Sequence, residues 1–143
     1  MKTLFTVIAF VLTFSSFSQE RGDNTVIIRT EMDYDEAFRT VGRSFVSKGL
    51  TIDDANRDFG TITASGLFVG SFWELTVSAI FDGDENTIIT LSGVNHNVDA
   101  RNPRIPQRVR MRSMGPLSES WGVLLEMANA FEGATIEFEK RDY

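Results

Sequence analysis

The sequence contains no cysteine and only one histidine among its 143 residues. Without cysteine the fold has no disulfides and must be stabilised by packing. A thiol nucleophile is unavailable, and His96 has no second histidine or cysteine with which to form a zinc site. No catalytic or metal-binding motif is present elsewhere. We therefore predict that the chain uses no cofactor or metal and is not an enzyme.

Long hydrophobic runs are also scarce, and the longest lies at the N-terminus. Lys2 precedes an apolar run over residues 4–14, and the small residues Ser16 and Ser18 suit the pockets of signal peptidase. The run is well short of the roughly 20 residues that a membrane-spanning helix requires. These features predict that residues 1–18 are a cleavable secretory signal peptide.

Residues 19–143 are predicted to form a single exported domain that begins at Gln19. Their number is sufficient for one hydrophobic core. No second long apolar run follows, so we expect a soluble mature form without a transmembrane span. Small secreted eukaryotic domains more often contain disulfides, and the absence of cysteine therefore favours a bacterial periplasm or a similar route of export.

Positive charge is the minority charge, with 14 lysines and arginines against 20 acidic residues and a formal net charge of −6. This balance argues against nucleic-acid binding and against general binding to anionic membranes. One segment departs from this excess of negative charge, because it contains arginines and no acidic residue. The candidate partner-binding residues in that segment are Arg101, Arg104, Arg108, Arg110 and Arg112.

Two interpretations of these arginines remain open. Guanidinium groups bind carboxylates and phosphates bidentately, so the segment is a candidate docking site for an envelope protein, a phosphorylated glycan or a lipid headgroup. Alternatively, the charges prevent a strand edge from self-associating and pair with the acidic surface, for example with Glu74 or Glu137.

Apolar residues at helical spacing predict two helices. The first is capped by Asp33 and stopped by Gly49, whereas the second is capped by Ser118 and stopped by Gly133. The residues predicted to face a sheet include Phe38, Val41 and Phe45 in the first helix and Trp121, Leu124 and Phe131 in the second.

Alternating residues joined by short turns predict an antiparallel sheet of four to five strands. Residues 73–81 and 87–94 form a hairpin around an acidic turn, which starts like a calcium loop but lacks its later glycine and glutamate. Other predicted strands are 25–30, 50–52 and 60–68, with a possible last strand over 135–140; residues 53–58 are a predicted polar turn and 95–115 a long connection. The predicted class is α+β, in the order β-α-β-β-β-β-α, with two helices on one face.

The first strand, the run DYDEAFRTVGRSFVSKGLTI, a polar turn, FGTITASG and the alternating WELTVSAIF resemble the TBP-like, or helix-grip, domains of exported Bacteroidetes proteins. Many of those are domains of unknown function. The order is also similar to domains of the small lipoprotein of the outer-membrane barrel-assembly machine. The resemblance covers about residues 25–132 and implies a TBP-like fold. The lipidated cysteine is missing, so a membrane tether is not implied, and no catalytic residues are established in these families.

The composition and the arginine segment together predict a non-enzymatic periplasmic interaction or binding module. The alternative is a carrier of a small hydrophobic ligand held between sheet and helices, and an enzyme of unknown class ranks third. The aromatic residues that support the carrier are Phe38, Phe45, Phe68, Phe72, Trp73, Phe81, Trp121 and Phe131.

Overall fold

Seven strands and two helices are formed by the residues that the computed structural model describes, which are 19–99, 101, 104–112 and 114–142. The predicted signal peptide lies outside the described residues. The elements are β1 Thr25–Thr30, α1 Tyr34–Ser47, β2 Thr51–Asn56, β3 Thr61–Val69, β4 Trp73–Asp82, β5 Thr87–Asn97, β6 Gln107–Arg108, α2 Pro116–Ala128 and β7 Thr135–Glu139.

All of these strands join one antiparallel sheet in the order β2-β3-β4-β5-β1-β7, and β6 pairs with β5. The sheet therefore has more strands than the four to five predicted. The additional pairing comes from β6, a two-residue strand inside the predicted long connection, and from β7, which pairs with β1. The predicted α+β class is confirmed, because the strands pair antiparallel and the helices pack on the sheet.

The central hairpin of β4 and β5 shows why the sheet has one covered face. Leu75, Val77 and Ala79 alternate along β4 with half-buried polar residues, and all three are fully buried. Val77 lies opposite Gly93 of β5. Since successive side chains of a strand point to opposite faces, this alternation places the helices and the core on one face and leaves the other face uncovered.

Helix α1 begins and ends as predicted. The Asp33 side chain accepts a hydrogen bond of 2.9 Å from the Glu36 backbone N–H. After the helix, Gly49 has φ +87°, a conformation that glycine adopts without steric cost. Phe45 is fully buried. Phe38 packs against the core beside Phe81, so it faces the sheet as predicted, but it is only half-buried rather than fully buried.

Helix α2 differs from its prediction at both ends. It begins at Pro116 after the N-cap residue Gly115, and no side chain caps it, so Ser118 lies inside the first turn. Proline suits the first helical position because its fixed φ matches the helix and its missing N–H would have no partner there. The helix ends at Ala128 rather than at Gly133, which belongs to the turn before β7. Leu124 is fully buried, as predicted.

The predicted polar turn over residues 53–58 is largely a strand. Strand β2 continues to Asn56 at the sheet edge, with an irregularity between Ile52 and Asp54 in its pairing to β3. Almost every β2 residue is exposed, so polar side chains are compatible with it and the composition alone did not distinguish strand from turn. Among the described residues, no helix is long and apolar enough to span a membrane.

Candidate anion-binding groove

The arginine segment is tied to the sheet by backbone hydrogen bonds. Strand β5 continues to Asn97, so the predicted connection begins later than expected. Gln107 and Arg108 of β6 lie opposite the end of β5. Beyond β6, the Val109 N–H donates to the Gly93 carbonyl at 2.8 Å and the Met111 N–H donates to the Asp23 carbonyl at 2.7 Å. Residues 107–111 are therefore held as an extended segment along the sheet.

Val109 anchors this segment in the core. Its side chain is fully buried, whereas Arg110 beside it is exposed and Arg108 is half-buried. Gly93 makes room for it, since a Cβ at that position would lie 3.0 Å from Val109 Cγ2. Because side chains alternate along an extended chain, burying Val109 turns the two arginines away from the core.

Arg108 and Arg110 of this segment and Arg112 just after it line one groove of about 580 Å³, which we call the arginine groove. Lys140, just after β7, adds a fourth cation that the sequence did not predict, and Asp142 is the acidic residue of the lining. The lining residues are Gly22, Asn24, Gln107, Arg108, Arg110, Arg112, Leu117, Lys140 and Asp142.

Arg104 lines a smaller adjoining cleft of about 260 Å³, and Arg112 contributes to both clefts. Arg101 does not join them. Its side chain is 92% exposed, and its Nε lies 3.8 Å from Oδ1 of Asp99. The structure therefore brings four of the five predicted arginines to neighbouring clefts and leaves Arg101 beside its own carboxylate.

Three arginines of the two neighbouring clefts test the alternative interpretation, in which the arginines pair with the acidic surface. Arg104, Arg110 and Arg112 form no ion pair with any residue that the structure describes. Glu137, one suggested partner, pairs instead with Arg29 at 3.0 Å. These three guanidinium groups thus remain available to an external anion.

A buried polar contact supports helix α2 next to the groove. The Ser120 hydroxyl donates to Oδ1 of Asn95 at 2.8 Å, and both residues are almost completely buried. A buried hydrogen bond of this kind resists separation of its partners, because each would lose its partner without gaining water. The contact therefore helps to fix the helix that carries Leu117 relative to the strand that pairs with β6.

The opposite end of the sheet is acidic and contains a mixed-charge cleft of about 670 Å³ at the start of α1. There the Tyr34 hydroxyl donates to the Arg57 carbonyl at 2.6 Å. Burial raises the pKa of Tyr34, as do the charges of Asp35 and Asp58, while Arg57 opposes the shift. The hydrogen bond from Arg57 to the Asp35 carboxylate, together with the negative charge of that carboxylate, raises the pKa of the Arg57 guanidinium.

The calcium-like residues belong to a hairpin turn, as predicted. Asp82 ends β4, its Oδ1 accepts from the Gly83 N–H at 2.9 Å, and the Asp84 carbonyl accepts from the Tyr34 N–H. Within the described ranges, no three histidine, cysteine, aspartate or glutamate residues are grouped so as to hold a metal ion.

The aromatic residues considered for a ligand cavity are divided between the packed core and the surface. Phe45 and Phe81 are packed in the core, whereas Phe68 and Phe72 are 61% and 50% exposed, so the latter two are not core residues. Five clefts among the described residues all contain charged lining side chains, which suit an apolar ligand poorly.

Comparison with known proteins does not assign this chain to a family. No protein-family model and no curated protein matches the sequence. The crystal structure of a TBP-like protein from Parabacteroides distasonis is similar at 12% identity with a TM-score of 0.42, over 83% of this chain and 99% of that chain. A likeness at this level does not define a family, and the α+β class is given by the elements described above.

Proposed function

We propose that the mature chain is a non-enzymatic binding module of the bacterial periplasm that docks an anionic partner in the arginine groove. The observation that supports the proposal most directly is the convergence of Arg108, Arg110, Arg112 and Lys140 on one groove in an otherwise acidic protein. Export to the periplasm is part of the proposal and rests on the N-terminal sequence.

The groove has the properties of a preformed anion site. Val109 and the backbone hydrogen bonds of its neighbours hold the backbone of the arginine segment in place before any partner arrives, which reduces the ordering cost of binding. Guanidinium groups form paired hydrogen bonds to carboxylate or phosphate oxygens, and each such charge-assisted bond contributes more than a neutral one. Exposed cations at a surface also accelerate the encounter with an oppositely charged partner.

Binding to a soluble polyphosphate, measured by calorimetry at low and at physiological salt, tests the groove. The double substitution Arg110→Ser with Arg112→Ser should weaken binding by at least about tenfold, because charge-assisted hydrogen bonds contribute about 1.5–3 kcal/mol each. The matched control is Arg39→Ser with Arg43→Ser, two exposed arginines of α1 whose loss changes the net charge equally. The control should stay within about twofold of the unmodified protein, a change of less than about 0.5 kcal/mol.

Salt should weaken the interaction of the unmodified protein, because exposed charges are screened beyond a Debye length of about 8 Å at physiological ionic strength. An equal loss in both double variants would show that net charge, rather than the groove, controls binding. Absence of binding at low salt, with all proteins folded, would remove the proposed function.

A further inference from the structure

Exposed apolar side chains accumulate at the same end of the sheet as the arginines. Ile105 is 86% exposed and Met114 is 80% exposed, one on each side of the arginine segment. Phe72 and Val98 are also exposed and lie together, since the Val98 N–H donates to the Phe72 carbonyl at 2.9 Å. Leaving such side chains in water is unfavourable, which makes a cluster of them a candidate interaction surface.

The strand register places these residues next to the cations. Trp73 at the start of β4 pairs with Asn97 at the end of β5, and Gln107 pairs with Asn95 in the antiparallel direction. Ile105, two residues before Gln107, therefore lies beside Asn97 at the end of β5. Met114 lines the smaller cleft together with Trp73 and Arg104. Apolar and cationic side chains thus share one tip of the molecule, which we call the basic tip.

Seven of the 20 acidic residues lie at the other end of the same strands. They occupy the β2–β3 turn, the β4–β5 turn and the start of α1. These residues are Asp33, Asp35, Glu36, Asp58, Asp82, Asp84 and Glu85. Strand β5, of 11 residues, separates the two ends by roughly 33 Å at about 3.3 Å per residue. That separation is several Debye lengths, so the acidic end opposes an anion at the basic tip only weakly.

We propose that the anionic partner is a phospholipid surface, with the guanidinium groups on headgroup phosphates and Ile105 and Met114 inserted among the acyl chains. This inference rests on the proposed function. Cations beside exposed apolar side chains are the combination that binds an anionic bilayer interface. Ile105 and Met114 are single exposed side chains that flank the arginines, which suits insertion between headgroups better than the closely packed core of a protein interface.

Co-sedimentation with phospholipid vesicles tests this proposal. The unmodified protein should bind vesicles that contain phosphatidylglycerol and should not bind vesicles of phosphatidylcholine alone. Ile105→Ser should weaken vesicle binding by about tenfold, because an inserted isoleucine side chain is removed from water. The matched control is Phe59→Ser, which removes an apolar side chain that is 81% exposed at the acidic end and should leave binding unchanged. Arg110→Ser with Arg112→Ser should also reduce binding, by about fivefold for each cation lost.

The outcomes separate this inference from the proposed function. Binding of polyphosphate without binding of vesicles would overturn the membrane surface and leave the anion-binding groove standing. Failure to bind either would remove both proposals. Vesicle binding that depends on the arginines but not on Ile105 would overturn insertion. Another outcome is an oligomer, detected by sedimentation velocity, that dissociates at high salt in a protein that does not bind vesicles. That result would overturn the inference in favour of a second copy of this chain as the partner.

Discussion

Replacing Val109 with alanine tests whether the arginine groove depends on an anchor in the core. The side chain is fully buried, and its backbone N–H donates to the Gly93 carbonyl at 2.8 Å. Valine to alanine removes two methylene equivalents, or about 1.6 kcal/mol of transfer free energy at about 0.8 kcal/mol each. Incomplete collapse of the space left behind adds a cavity term. We expect the free energy of unfolding to fall by about 2–3 kcal/mol.

Urea unfolding followed by circular dichroism at 25 °C measures this loss, and the slope against urea should not change. The control is Ile105→Ala in the same segment, where the side chain is 86% exposed and the change should stay below about 0.5 kcal/mol. The Val109→Ala protein, still folded, should also bind polyphosphate more weakly, because Arg108 and Arg110 lose their fixed positions. A loss of less than about 0.5 kcal/mol at Val109 would refute the anchoring argument.

Three further predictions concern the rest of the chain. Intact-mass measurement of protein from the envelope fraction should show a chain that starts at Gln19, and a cytosolic chain that retains residues 1–18 would contradict export. Leu124→Ala should cost about 2–5 kcal/mol in urea unfolding, and half-buried Phe38→Ala should cost less; equal small losses would mean that the α2 face is misassigned. Since the pKa of Tyr34 is raised above its usual 10.0, the folded state favours the neutral phenol, and stability should decline as pH rises above that value. Tyr34→Phe should flatten this alkaline decline, whereas an unchanged pH dependence would assign it to other groups.

The elements that the sequence predicted well are those whose determinants lie within a few residues. Asp33 and the Glu36 N–H are three residues apart, and Gly49 supplies the φ that stops the helix. The strict alternation of apolar and other residues over 73–81 indicates that one face of β4 is buried. An acidic turn that contains Gly83 joins β4 to β5. Such patterns are readable because helix and strand periodicities are properties of the local backbone.

Errors arose where tertiary context outweighed local preference. The polar residues 53–56 form a strand because their backbone pairs with β3, and because their side chains at the edge of the sheet are exposed to water. Ser118 is a good cap by composition, yet the helix begins earlier because Pro116 is compatible with its first turn. Exposure of Phe68 likewise could not be read from its residue type, since hydrophobicity does not reveal which face of a strand is covered.

The sequence by itself determined that the arginines are clustered along the chain and that Val109 alternates with them. Only the tertiary structure decided that Lys140 joins the same groove, because β7 must first pair with β1 to bring it there. Net charge is a sum over all residues and does not say where on the surface the charges lie. Pairing β4 with β5 places the acidic turn and the arginine segment at opposite ends of one hairpin, and this separation lets an acidic protein present a basic tip.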